Sequence, residues 1–423
     1  MDKTRKMERG DAARQGALKL LAAVEDGATL DEAGALIERL PPADRARARR
    51  LALEVLRRGW RADALLEPML ARKPRPDIRR ILRLATVEML ALGEAPHGAV
   101  NAAVTLCRGL SGKGQAAAGM VNAVLRKAAA AQDAWAKLPP QKMPDWLRAP
   151  VAAAWGRDVT RAIEAAHEAG APLDLTAKAG DAPGEALPTG SFRLPSGTQV
   201  SALEGYDSGD WWVQDAAAAM AVRVLDPQPG ERIADLCAAP GGKTMQLAAA
   251  GAEVIALDIS ESRLARVAEN LARCGLSAKL VAADALEWRT DAPLDAVLLD
   301  APCSATGTIR RHPELPLIRD GSAIAELADL QARLIDHALS LLKPGGRLVF
   351  ATCSLHPAEG EEQLTATLAR HPDLTVEPAT APGVEPGWLT ESGALRLRPD
   401  LWPERGGMDG FFIARLRKSG VKS

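Results

Sequence analysis

Short apolar runs alternate with amphipathic segments between residues 232 and 416, and this alternation constrains the fold more than any other feature of the sequence. The apolar runs have the length of strands, and a run such as residues 296–299 places no polar residue at every second position. Strands of this kind are typical of a parallel sheet with helices on both faces. The pattern predicts a doubly wound, Rossmann-like α/β domain, whose chemistry gathers at the carboxyl ends of the strands. We expect strands over 232–236, 253–258, 278–282, 295–300, 347–352 and 410–416, and helices over 243–250, 261–274, 323–342 and 359–370.

The first 130 residues lack this alternation and carry apolar residues at spacings of three and four, as in Leu18, Leu21 and Val24. This spacing predicts an all-α bundle. Asp44, which follows two prolines, is expected to cap a helix. The proline-bearing stretch 131–145 is interpreted as a linker.

Residues 146–222 predict a small α+β segment. Helices are expected over 146–155, 158–169 and 216–224, and strands near 173–177 and 198–202. Trp211 and Trp212 could stack on bases, but packing between domains is the favoured role. The chain is therefore expected to contain three domains: 1–138, all-α; 139–222, a linker with the small α+β subdomain; and 223–423, Rossmann-like.

The net charge of −1 hides an asymmetry. Residues 1–140 hold 25 Lys and Arg against 16 Asp and Glu, and the remainder holds 28 against 38. A basic module beside an acidic one favours a polyanionic partner for the first, although solvated helix faces give the same count.

Cysteine usage and hydropathy exclude several classes of protein. Five cysteines without a C-x-x-C pair argue against a disulfide framework or a zinc site and for a reducing cytoplasm. The first ten residues have no apolar h-region, and no run approaches the ~20 apolar residues of a membrane span. No histidine has the company of other metal ligands. We therefore expect neither a secreted nor a membrane protein, and no metal.

A glycine-bearing loop, residues 235–244, follows the first predicted strand. Gly241 and Gly242 allow a ligand close to the backbone, although neither the G-x-G-x-x-G fingerprint nor a Walker loop is present. Asp258 ends the second strand, where an acid can bind the ribose of an adenosine, and Asp284 follows the third, near an adenine. Each aspartate alone could be a turn residue, but the three consecutive strand ends together favour adenosyl binding.

Two cysteines follow the next two predicted strands, Cys303 in Asp-Ala-Pro-Cys-Ser and Cys353 in Thr-Cys-Ser. A thiolate is a strong nucleophile, and a positive neighbour lowers the pKa of a thiol, for which Lys243 is a candidate. Cys107 and Cys274 are expected to be buried structural residues. The pairing predicts covalent catalysis beside a bound cofactor.

These motifs resemble those of the RNA (cytosine-5) methyltransferase family that includes the bacterial RsmB and the nucleolar Nop2/Sun proteins. The resemblance spans roughly residues 140–417, and the first part of the chain resembles a NusB-type RNA-binding domain. The matching stretches are 213–215, 235–244, 258, 284, 300–304, 351–354 and 407–412, with 44–50, 96–100 and 121–126 for the NusB-type part.

The resemblance implies a class I methyltransferase domain, an RRM-like subdomain before it, and a role for each motif. Cys353 would attack C6 of cytosine, Cys303 would assist proton removal and adduct release, and Asp300 would contact the N3/N4 edge. S-adenosyl-L-methionine would be the cofactor. Its implied binding residues are Cys237, Ala238, Ala239, Pro240, Gly241, Gly242, Lys243, Asp258, Asp284 and Asp300.

The resemblance also implies a substrate, because the NusB-type domain points within the family to small-subunit (16S) ribosomal RNA. The target cytosine must leave its stack, most cheaply from a loop or single strand. Arg310 and Arg311, just after Cys303, are expected to contact RNA phosphate. We expect a cytoplasmic monomer that makes 5-methylcytosine during rRNA processing.

Two alternatives remain at this point. The chain could be an RNA-binding assembly or antitermination factor with an inactive methyltransferase domain, although both cysteines and the acids are intact. It could also be a DNA cytosine-5 methyltransferase, in which Cys303 would be the attacking residue. The Thr-Cys motif at Cys353 speaks against the DNA enzyme.

Overall fold

The computed structural model describes residues 11–420, apart from the side chain of Lys113. Within this range the chain forms two compact units. The first holds the residues up to Pro144 together with Arg311–Asp320, and the second holds Asp145–Arg310 and the residues from Gly321 onward. Residues 1–10, which lack an apolar h-region in the sequence, lie outside the described residues.

Helices dominate the described chain up to residue 169, and strands alternate with helices beyond it. The α-helices are α1 Asp11–Glu25, α2 Pro42–Leu66, α3 Pro76–Leu90, α4 Pro96–Arg108, α5 Lys113–Ala116, α6 Ala118–Ala129, α7 Gln132–Lys137, α8 Asp145–Ala169, α9 Ala216–Leu225, α10 Gly242–Ala249, α11 Glu261–Arg273, α12 Leu315–Ile318, α13 Ile324–Leu341 and α14 Glu361–Arg370. The strands are β1 Leu173–Ala177, β2 Glu185–Ala186, β3 Phe192–Leu194, β4 Trp211–Val213, β5 Arg232–Leu236, β6 Glu253–Asp258, β7 Lys279–Ala282, β8 Leu294–Asp300, β9 Leu342–Thr352, β10 Thr375–Glu377, β11 Leu395–Leu397 and β12 Phe411–Arg417.

The first unit is a helical bundle, which confirms the all-α prediction. Its core consists of aliphatic side chains from α1, α2, α3, α4 and α6. The prediction that Asp44 caps a helix is wrong, because Pro41 is the N-cap and Asp44 lies inside the first turn of α2. The negative charge of Asp44 there still suits the positive end of the helix dipole.

The interpretation of residues 131–145 as a linker is wrong in part, because this stretch contains the six-residue helix α7. Trp135 on α7 is 4% exposed and packs into the core of the bundle. The Arg61 guanidinium carbon lies 4.5 Å from the centre of the Trp135 ring. A helix of one and a half turns carries too little periodicity to be recognised between prolines.

The second unit begins with α8, which is followed by a small antiparallel sheet with the strand order β2-β3-β1-β4. Gly156, at φ 83°, breaks α8 into the two helices that were predicted. The strand predicted near 173–177 is present, but the one near 198–202 is wrong, since Val200–Ala202 forms a 3-10 turn. The RRM-like nature of this segment stays a prediction.

The large sheet has the strand order β10-β12-β9-β8-β5-β6-β7, with β11 paired to β12. Strands β5 to β9 pair in parallel, and β12 runs antiparallel to β9. Apolar side chains cover both faces of the sheet, in two separate clusters. This architecture confirms the Rossmann-like prediction and brings the carboxyl ends of β5, β6, β7, β8 and β9 to one edge.

No helix among residues 11–420 has the length and apolarity that crossing a bilayer requires. Within the same range, no group of three or more His, Cys, Asp or Glu side chains has an arrangement that could hold a metal ion.

Candidate active site

The loop after β5 turns sharply before α10 begins. Cys237 has φ 64° and Gly241 has φ 102°, both in the left-handed region that L side chains rarely adopt. A Cβ on Gly241 would lie 3.0 Å from Val267 Cγ1, so glycine also permits α11 to pack closely here. The loop and the first turn of α10 thus present backbone amide groups at the sheet edge.

Asp258, at the end of β6, is 3% exposed and bonded to this loop. Its Oδ2 accepts from the Ala239 amide at 3.2 Å, and its Oδ1 accepts from the Ser260 amide at 3.0 Å. The Arg263 guanidinium lies 3.2 Å from Oδ2. The carboxylate is therefore held rigidly beside the glycine-bearing loop.

Asp284 lies two residues beyond β7, the strand that pairs in parallel with β6. Its Oδ1 accepts from the Leu286 amide at 2.8 Å, so it also shapes its own turn. Both aspartates follow neighbouring strands at the same edge, which suits an adenosine laid along it. Their roles toward a cofactor stay predictions.

Asp300, the last residue of β8, forms an ion pair with Lys243 of α10, with Nζ 2.7 Å from Oδ2. Lys243 is 9% exposed, and its Nζ lies 5.3 Å from the centre of the Phe411 ring. Burial disfavours the ammonium, but the charges of Asp300, Asp235 and Cys353 outweigh it and raise the pKa of Lys243 above its ordinary value. Lys243 therefore stays charged and orients Asp300.

The structure brings the two cysteines together. Cys303 and Cys353 follow the neighbouring strands β8 and β9, and their Sγ atoms lie 3.4 Å apart. Both are partly exposed, whereas Cys107 and Cys274 are buried, as expected for structural residues. A substrate atom beside one thiol is thus within reach of the other.

The surroundings raise the pKa values of two thiols at this edge of the sheet. The hydrogen bond to Cys353, then burial, raise the pKa of Cys303 well above its usual value. Burial and the nearby carboxylates raise the pKa of Cys237 to about 12. The expectation that Lys243 lowers a thiol pKa stays a prediction, since its ammonium forms a salt bridge with Asp300 and also interacts electrostatically with Cys353. The hydrogen bond and burial therefore disfavour the thiolate form of Cys303.

The expectation that Arg310 contacts RNA phosphate is wrong. Arg310 is 0% exposed, with Nε 2.8 Å from Asp409 Oδ1 and Nη2 2.5 Å from Asp215 Oδ2. It joins the loop after Cys303 to the start of α9 and to the segment before β12. Arg311 is exposed, and its contact with RNA stays a prediction.

Two buried carboxylates at this edge were not singled out from the sequence. Burial raises the pKa of Asp235 to about 7, and its Oδ2 accepts from Thr244 Oγ1 at 2.6 Å. Glu359 is 0% exposed and bonded to the residues that follow both cysteines. In the sequence, Asp235 is an acid inside a predicted strand, and Glu359 is an acid six residues after a cysteine. Both patterns also occur on solvated surfaces, so they do not indicate a site.

The doubly wound sheet, with its glycine-bearing loop and carboxylates at successive strand ends, defines a class of protein, the Rossmann-like methyltransferases. Comparison with known proteins narrows this class. The family model described as "16S rRNA methyltransferase RsmB/F" matches residues 222–417, and the NusB family model matches residues 11–130. The chain belongs to the RsmB/F family, with an N-terminal NusB-family domain, since a relative matches it almost end to end.

That relative, ribosomal RNA small subunit methyltransferase B of Xylella fastidiosa (strain Temecula1), is 36% identical over 97% of this chain and 99% of its own length. The protein of the same name from Klebsiella pneumoniae (strain 342) is 46% identical over 54% of this chain. That alignment spans 51% of the Klebsiella protein, about half its length.

Solved structures agree with the fold. The crystal structure of PH0851 has a TM-score of 0.69 and 25% identity, covering 96% of this chain and 99% of that one. A methyltransferase homolog protein from Pyrococcus horikoshii has a TM-score of 0.52 and 29% identity, covering 64% of this chain and 93% of that one.

Proposed function

We propose that this protein methylates C5 of a cytosine in small-subunit ribosomal RNA, using S-adenosyl-L-methionine and a covalent bond between Cys353 and C6. The observation that carries the proposal is the 3.4 Å separation of the two thiols at the strand ends, beside the Asp300–Lys243 pair. Membership of the RsmB/F family and the relatives named small subunit methyltransferase B support the substrate.

The residues present fit the cofactor. A loop of backbone amides follows β5, and carboxylates follow β6, β7 and β8 in turn. Asp258 would bind the ribose hydroxyls, Asp284 the adenine amino group, and residues 237–243 the methionine part. When bound, the cofactor supplies an electrophilic methyl group on a positively charged sulfur.

The chain's own residues would then act in a fixed order. Cys353, as the thiolate, adds to C6 of the cytosine, while Asp300 holds the N3/N4 edge and favours the protonated ring. This addition breaks the aromaticity of the base and places electron density on C5. After methylation, Cys303 assists removal of the C5 proton, and the Cys353–C6 bond breaks as the ring double bond re-forms.

The location and state of the protein belong to the same proposal. We infer a cytoplasmic monomer whose helical domain holds ribosomal RNA, without a metal and without a membrane partner. Its basic charge, 25 Lys and Arg against 16 Asp and Glu over residues 1–140, supports contact with a polyanion.

The test is methyl transfer from isotopically labelled S-adenosyl-L-methionine to deproteinised 16S RNA, followed by mapping of 5-methylcytosine. The proposal predicts one labelled cytosine, whose label is absent when Cys353 is replaced by alanine. No transfer to RNA or to assembling subunits would favour an inactive binding factor. Label that enters duplex DNA instead would favour a DNA methyltransferase.

A further inference from the structure

A buried carboxylate lies directly behind the two cysteines. Glu359 ends the 3-10 turn Pro357–Glu359, just before α14, and is 0% exposed. No basic side chain forms an ion pair with Glu359 among the residues that the structure describes. A buried carboxylate costs free energy unless hydrogen bonds compensate it, so its donors matter.

Four neutral donors satisfy this carboxylate. Oε1 accepts from the Ser304 amide at 2.9 Å and from Gln331 Nε2 at 3.1 Å. Oε2 accepts from Ser304 Oγ at 2.5 Å and from Ser354 Oγ at 2.6 Å. A carboxylate offers about four lone-pair sites, so the acceptor capacity of Glu359 is filled.

The donors flank both thiols. Ser304 follows Cys303 and Ser354 follows Cys353. Gln331, on α13, also donates to the Pro302 carbonyl at 2.9 Å, on the other side of Cys303. On the other side of Cys353, Thr352 Oγ1 donates to the backbone oxygen of Glu359 at 2.7 Å. Glu359 is therefore hydrogen-bonded, directly or through Gln331, to the chain on both sides of each cysteine.

We propose, on the basis of the function proposed above, that Glu359 is a positioning residue: it holds the chain on both sides of the two cysteines and so sets the separation of the two thiols. Hydrogen bonding alone does not require a charge, because a glutamine side chain fills the same space and also offers an acceptor oxygen. The charge has an effect here, since Glu359 is among the groups that raise the pKa of Cys303.

The test replaces Glu359 by glutamine, which keeps the shape but removes the charge and one acceptor oxygen. We expect Glu359→Gln to lower kcat for methyl transfer by about tenfold or more, through misplaced thiols, with KM for RNA within about twofold. Alkylation of Cys303 by iodoacetamide at pH 8, followed by mass spectrometry, should become at least about threefold faster, because the thiol pKa falls.

Glu231→Gln is the control, because it makes the same change at a carboxylate that is partly exposed and paired with Arg347, away from the cysteines. It should change neither kcat nor the alkylation of Cys303. If Glu359→Gln fails to fold, Gln331→Met replaces it, since that change removes a single donor together with the Pro302 bond.

Two results would overturn the role of Glu359: alkylation of Cys303 at the wild-type rate, or a kcat loss that matches the loss of folded protein. The alkylation needs no RNA and no cofactor. It therefore judges the role of Glu359 even if wild-type protein transfers no methyl group, which would refute the proposed function alone.

Discussion

At the scale of the residue, replacing Asp258 tests the proposed cofactor site most directly. Asn in its place keeps the size but loses the charge and one of the oxygens that accept from Ala239 and Ser260. We expect Asp258→Asn to weaken S-adenosyl-L-methionine binding about 10- to 100-fold, the value of one or two charged hydrogen bonds, by calorimetry.

Asp295→Asn is the control for this change. Asp295 lies near the start of β8, at the opposite end of the strand from Asp300, and its Oδ2 accepts from the Arg232 amide at 2.8 Å. Its replacement should leave cofactor affinity unchanged. If both variants and the wild type bind S-adenosyl-L-methionine with equal affinity, Asp258 does not contribute to the cofactor site.

His167 gives the second unit a predictable sensitivity to acid. Burial, and then the charge of Arg310, lower the pKa of His167 to about 3. Its Nε2 has no hydrogen-bond partner among the described side chains and backbone. Below pH ~6.5 the imidazole of His167 binds a proton in the unfolded chain but not in the folded chain. The free energy of unfolding therefore decreases as the pH decreases, by up to about 1.4 kcal/mol per pH unit.

His167→Leu should therefore reduce the loss of unfolding free energy between pH 6.5 and 5 by about 1.6 kcal/mol relative to the wild type. Urea titrations of both proteins at the two pH values measure this difference. Parallel pH dependences would show that the imidazole is protonated in the folded protein.

Single residues were predictable where the chemistry is local to a motif. Cys303, Cys353 and Asp300 each lie at a strand end, and the strands themselves are visible as apolar runs. Arg310 was misjudged because a sequence does not show that Asp215 and Asp409, 95 and 99 residues away, meet it in the interior.

At the scale of the element, Arg310 joins three segments through a buried ion pair network. Its partners Asp215 and Asp409 are 9% and 0% exposed. Arg310→Met should destabilise the second unit by about 3–5 kcal/mol, because it leaves two buried carboxylates without their cation. Thermal unfolding followed by calorimetry measures this loss.

The control is Arg333→Met, since Arg333 is exposed on α13 of the same unit and its replacement should change stability by less than about 0.5 kcal/mol. A small effect of Arg310→Met, together with a flatter salt dependence of RNA binding, would instead restore the phosphate-contact interpretation of Arg310.

Elements were predictable where their residues carry a clear apolar pattern. The strands β5, β6 and β8 and the helices α11 and α13 were found within one or two residues, because each carries several turns or a full apolar run. The three-residue strands β10 and β11 and the helix α7 were not, since so few positions give no period. Their conformation is set by their neighbours in the folded unit.

At the scale of the whole molecule, the chain returns to the helical unit after the Cys303 loop. Residues Arg311–Asp320 belong to that unit. There Glu314 is 2% exposed, with Oε1 3.4 Å from the Leu30 amide, and Ile318 packs against the helical core. Sequence periodicity divides a chain into consecutive stretches, so it could not reveal this insertion, and the three predicted domains stay a prediction.

Membership of the RsmB/F family and the geometry of the two thiols both support one claim: Cys353 bonds to the base, and Cys303 assists the release of the adduct. The most direct measurement is a denaturing gel of wild-type, Cys353→Ala and Cys303→Ala protein after incubation with 16S RNA and S-adenosyl-L-methionine. The account predicts a covalent protein–RNA band that accumulates with Cys303→Ala and is absent with Cys353→Ala. A band that accumulates with Cys353→Ala, or no band with either variant, would contradict it.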